Sequence, residues 1–136
     1  MNILKSYFSK VTLLFSLTLS LSVANASQMP SITDKKADEI INCAVYFLIY
    51  SAGLEKSGGT DSMKKAEVFI EYSKTLTMLI GKLKSKDYVI PRFKSSQVTL
   101  TNEMNKTFKD FDVINKKYHK SCLQVVETSY PKQSTP

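Results

Sequence analysis

DKKADEIINCAVYFLIYSAGLEKSGG, residues 34–59, is the stretch on which the fold turns. Its centre, Cys43 to Tyr50, is rich in β-branched and aromatic side chains and passes on its own for a buried strand. The flanks decide otherwise. Ala37, Ile40, Ile41, Ala44, Leu48 and Ala52 recur at spacings of three and four, which is a helical stripe. Thr33 or Asp34 is placed to cap the start, and Asp38 and Glu39 put negative charge in the first turns, where the helix dipole favours it. Lys56-Ser57-Gly58-Gly59 supplies a cationic last turn and two glycines able to take a left-handed cap. The stretch therefore reads as one long helix, apolar around much of its circumference.

Two more long helices follow from the same periodicity. Thr60 or Asp61 caps the second, whose stripe is Ala66, Phe69, Ile70, Ser73, Leu76, Ile80 and Leu83, fading at Lys86-Asp87. Pro91 disfavours helix in the residue before it, so Tyr88 to Leu100 is read as a connecting element, with Ser95 or Ser96 capping at most a short turn. The last long helix is expected to start between Ser96 and Asn102. Its seam is Met104, Phe108, Phe111, Ile114, Tyr118, Cys122 and Val125, and it is expected to end near Thr128. Residues 129–136 form a polar, proline-containing tail expected to fray.

Upstream of all this lies a leader. Lys5 and Lys10 make a positive start, Val11 to Val23 is apolar but shorter than the ~20 residues that span a bilayer, and Ala24-Asn25-Ala26 has the small-x-small pattern of a cleavage site. Residues 1–26 are read as a signal peptide and residues 27–136 as one helical domain, exported to the periplasm or secreted, with no transmembrane span after cleavage. At 136 residues the chain has room for one domain.

Export gives the two cysteines their meaning. In an oxidising compartment an even count forms bonds, and Cys43 with Cys122 allows a single connectivity, closing a loop of 80 residues. The pairing also dictates topology. Cys43 sits roughly 14 Å above the start of the first helix and Cys122 roughly 9 Å from the end of the last. The heights agree only if those two helices run antiparallel; a parallel pair would miss by roughly 25 Å. The expected fold is all-α: a small antiparallel bundle of three long helices plus the connecting element, tied by one disulfide.

Chemistry is sparse. One His, two Cys and no Trp leave little for a metal cage, and His119 with Cys122 and Cys43 would still lack a fourth zinc ligand. Asp110 and Asp112 are i and i+2 on a helix and point apart. There is no P-loop, G-x-G-x-x-G, G-x-S-x-G or H-E-x-x-H pattern. Asn105-Lys106-Thr107 matches a glycosylation acceptor by chance. No metal, cofactor or catalytic residue is assigned.

Charge and aromatic patterning give the binding candidates. Without the leader the chain carries 17 basic and 12 acidic residues, and the excess lies entirely beyond Glu71. Lys82, Lys84, Lys86, Arg92 and Lys94 concentrate it, with Tyr88 and Phe93 interleaved and only Asp87 against them. An exported chain argues against nucleic acid as the target of such a patch. Tyr46, Phe47 and Tyr50 are either core or, if part of the first helix is exposed, contact anchors for a partner or for a second copy of the chain. The leading expectation is a non-enzymatic exported protein that binds another macromolecule of the envelope, as an inhibitor, immunity protein or accessory factor. The alternatives are a peripheral basic protein on anionic lipid or envelope polymer, and an enzyme of unrecognised type.

Overall fold

The computed structural model describes residues 32–105 and 108–129. The leader, the lead-in to residue 31 and the tail from residue 130 lie outside the described residues. The first helix, α1 (Asp34–Ser57), starts where expected: the Thr33 hydroxyl accepts from the Lys36 N–H at 3.3 Å. It stops at Gly58, φ 74°, whose N–H reaches the Glu55 carbonyl, followed by Gly59, φ 88°. Both values are easy for glycine and strained for L side chains. The tight turn leads straight into α2 (Thr60–Leu83). Its cap residue is Gly59, with no side-chain cap, rather than Thr60 or Asp61. The two helices run antiparallel. The Ser73 hydroxyl donates to the Ala44 carbonyl, and Phe47 and then Tyr50 meet Phe69 as the chains pass in opposite directions.

The connecting element is a full helix, α3 (Lys86–Glu103), and this corrects the sequence reading. Its cap is Ser85, whose hydroxyl accepts from the Tyr88 N–H, not Ser95 or Ser96. Pro91 lies inside it, in the second turn. There it removes one backbone hydrogen bond, to the Asp87 carbonyl, and its ring faces solvent. Val89, Phe93, Ser96 and Leu100, spaced four-three-four, form the buried stripe that holds α3 onto α1. α3 runs parallel to α1, with Tyr88 beside Asp34 and Arg92 beside Asp38.

Met104 caps α3 and is buried, Asn105 takes φ 51°, and Phe108–Asp110 forms a 3-10 turn. The last helix, α4 (Phe111–Ser129), therefore begins later than the Met104–Phe108 seam suggested. It runs antiparallel to α1: Cys43 meets Cys122, Tyr46 meets His119 and Asn115, and Tyr50 meets Phe111. The Cys43–Cys122 disulfide is present, with Cα atoms 5.1 Å apart.

The result is an up-down-up-down bundle of four helices in which α1 packs against the other three. By length and composition α1 would cross a membrane, but here it is the core: every residue from Cys43 to Ile49 is buried. A helix apolar all round needs cover on every side, and α2, α3 and α4 supply it. Burying Tyr46, Phe47 and Ile49 contributes on the order of 2 kcal/mol each.

Candidate functional site

The aromatic candidates belong to the interior. Tyr46 and Phe47 are fully buried and offer nothing to a partner. Tyr50 is half-buried under Phe69, Phe111 and His119. As contact anchors, Tyr46 and Phe47 are corrected to core, and Tyr50 packs partly buried against it. The fourth helix explains the change, because a bundle of three would have left one side of α1 open. The Tyr46 hydroxyl finds its partners on α4, donating to Asn115 Oδ1 at 2.9 Å and lying 2.9 Å from His119 Nδ1. Burial pushes the Tyr46 hydroxyl well above the usual phenol range. His119 is thus held in an aromatic cluster of Tyr46, Tyr50 and Phe69.

The basic cluster is partly spent inside the molecule. Lys84 pairs with Asp34 at 2.7 Å, and Arg92 Nε pairs with Asp38 at 2.9 Å. Both cations lie over the Tyr88 ring, the Arg92 guanidinium at 3.6 Å and the Lys84 ammonium at 5.0 Å. The Tyr88 hydroxyl has two acceptors for its one proton, Asp38 Oδ1 at 2.9 Å and the Asp34 carbonyl at 3.1 Å. Two acids from α1 therefore stand against this patch, where the sequence order offered only Asp87. The Lys84 ammonium holds the Asp34 carboxyl below its usual range. Lys82, Lys86 and Lys94 are exposed and make no ion pair with a described residue.

The concave surface lies elsewhere. α3 and α4 both lean on α1 but touch each other little, and an open groove runs between them. One part, of about 600 Å³, lies over the disulfide, which forms its floor together with Asn42. The adjoining part, of about 230 Å³, is lined from α3 by Arg92, Ser95, Ser96 and Thr99. Asp38, Asn42 and Tyr118 belong to both.

Its charges are largely neutralised locally. Asp38 is held by Arg92 and Glu39 by Lys36 at 2.8 Å; of the charged residues lining the groove, Lys35 makes no ion pair with a described residue. The Tyr118 hydroxyl donates to Glu103, which also takes Lys117 at 2.9 Å; that bond raises the Lys117 ammonium above its usual range. Uncharged hydrogen-bonding groups remain. Asn42, Ser95 and Thr99 make no side-chain hydrogen bond with a described residue. Ser96, 6% exposed, carries a buried hydroxyl with no hydrogen-bond partner among the described residues. The buried hydroxyls of Ser51 and Ser73, by contrast, donate to the Leu48 and Ala44 carbonyls. An unpaired buried hydroxyl costs about 1–3 kcal/mol.

Two of these residues carried a signal in the sequence. Asn42 interrupts the apolar run of α1, and Ser96 takes a core position of the 89-93-96-100 stripe. Their meeting with Tyr118 requires α3 to be helical, so it was not visible from the chain alone. Among the described residues no group of three His, Cys, Asp or Glu side chains is arranged to hold a metal ion. Comparison with protein-family models, with curated proteins and with solved structures finds no match.

Proposed function

We propose that this chain is an exported, non-enzymatic binding protein that engages a macromolecule of the envelope through the groove between α3 and α4. The observation that carries the reading is the set of unspent hydrogen-bonding groups gathered on one concave face of a disulfide-tied bundle. Rigid helices hold them, so a ligand meets a site already formed. The disulfide supports the compartment, since such bonds persist in oxidising surroundings.

The second reading is peripheral binding to anionic lipid or polymer through the basic end. Lys82, Lys86 and Lys94 support it; the internal pairing of Lys84 and Arg92 weakens it. The test is capture of envelope material by the full chain, expressed with its leader so that processing and oxidation proceed. Asn42→Ala/Thr99→Ala and Lys82→Ala/Lys86→Ala/Lys94→Ala variants are run beside it across a salt series. Capture that survives salt and disappears in the groove variant is expected. Capture that collapses with salt and depends only on the lysines assigns the function to the basic end instead.

A further inference from the structure

We infer that the outer face of α3, together with the end of α2, is a docking surface for an anionic lipid bilayer. The inference rests on the second reading above, peripheral binding at the basic end, and names lipid rather than polymer as the partner. Met78, Lys82, Lys86, Ile90, Lys94 and Val98 follow one another at intervals of four residues, from the last turns of α2 into α3. All six are exposed, and the three apolar ones are half of the large hydrophobic side chains left exposed among the described residues. A spacing of four advances about 40° per step around a helix, so the α3 members share one side of it. The three lysines make no ion pair with a described residue, whereas Lys84 and Arg92 beside them are taken by Asp34 and Asp38. Asp87 is the only acid of α3 on that side. The face therefore presents net positive charge, with apolar side chains set between the charges.

That composition selects among partners. A soluble polyanion pairs with the lysines but gives Met78, Ile90 and Val98 nothing to enter. A protein partner would bury the centre of the face, where lysine is disfavoured. A bilayer accepts both kinds of side chain. Lysine stems lie along apolar surface while their ammonium groups reach lipid phosphates, and the apolar side chains enter the headgroup boundary. The row lies on the other side of the α3 buried stripe from Arg92, Ser95 and Thr99, which line the groove. A molecule seated on a membrane by this face keeps its groove open.

The test is co-sedimentation of the exported, oxidised product with vesicles of phosphatidylethanolamine containing about a quarter phosphatidylglycerol. Neutral phosphatidylcholine vesicles and a soluble polyphosphate are the parallel arms. Binding to the anionic vesicles and not the neutral ones is expected. It should fall about tenfold in Ile90→Ser/Val98→Ser and roughly a hundredfold in Lys82→Ala/Lys86→Ala/Lys94→Ala. Ile90 and Val98 are exposed, so their variant should melt with the parent. Polyphosphate should bind the parent and that variant alike. All variants carry the same N-terminus, so differences between them report the face and not the leader. Vesicle binding that falls with the lysines but is indifferent to Ile90→Ser/Val98→Ser overturns the lipid inference and leaves the basic end as a polyanion site. Equal binding to neutral vesicles, or binding that ignores both sets of substitutions, overturns the placement on this face. Silence in every arm overturns the inference and the basic-end reading together.

Discussion

Ser73 and Ser96 make a matched pair for testing the packing account. Both lie inside helices, on the buried stripes of α2 and α3, at 5% and 6% exposure. Replacing either with alanine gains the same helix propensity, about 0.5 kcal/mol. The remaining effects have opposite signs. Ser73→Ala removes a buried hydrogen bond to the Ala44 carbonyl, worth about 1 kcal/mol, and should destabilise by about 0.5 kcal/mol net. Ser96→Ala removes a hydroxyl that is buried with no partner, relieving about 1 kcal/mol of desolvation, and should stabilise by about 1.5 kcal/mol. The propensity gain cancels in the difference, so the gap of about 2 kcal/mol reports hydrogen bonding alone. For a domain of this size it separates the two melting temperatures by roughly 9 °C. Guanidinium unfolding of the oxidised protein at fixed temperature measures the same gap. If Ser96→Ala destabilises as much as Ser73→Ala, the Ser96 hydroxyl has a partner in solution and the argument built on it fails.

Cys43→Ala/Cys122→Ala releases a cross-link across 79 residues of sequence and should lower unfolding free energy by up to about 4.5 kcal/mol; denaturant curves of the variant and of the oxidised parent measure it. Pro91→Ala restores one donor to α3 and removes a ring clash, offset by a more flexible unfolded chain, so a gain of about 1–2 kcal/mol in the same assay is expected. Asp34 has a lowered folded pKa, so its pairing with Lys84 stabilises the protein above the unfolded value of 3.8 and is lost as pH falls through the folded value. Acid unfolding of Asp34→Asn should accordingly show a shallower loss of stability below about pH 4 than the parent.

How far the chain could be read depended on what each inference needed. The α1 stripe, its Thr33 cap and its glycine stop are local, and they stood. The antiparallel course of α1 and α4 followed from two cysteines and the helical rise, and it stood as well. The miss was α3. Pro91 was weighed as a helix terminator, although a proline this near the start removes only one backbone bond. That single decision had several results. It hid the Val89-Phe93-Ser96-Leu100 stripe, drew Met104 and Phe108 into the last helix, and left α1 with an apparently open side. Tyr46 and Phe47 then looked available, when the missing helix was part of their cover. The groove needed α1, α3 and α4 together, so no local pattern announced it.

The central position of α1 also constrains how the molecule comes into being. A chain that emerges N-terminus first delivers α1, the most apolar of the described helices, before the helices that shelter it. α2 follows at once, but the cysteine that secures Cys43 arrives 79 residues later. Until then Cys43 has no partner to bond, and the side of α1 that α4 covers stays open. Truncation ahead of Cys122 would strand the molecule in that condition, so the final helix acts as the closing key of assembly.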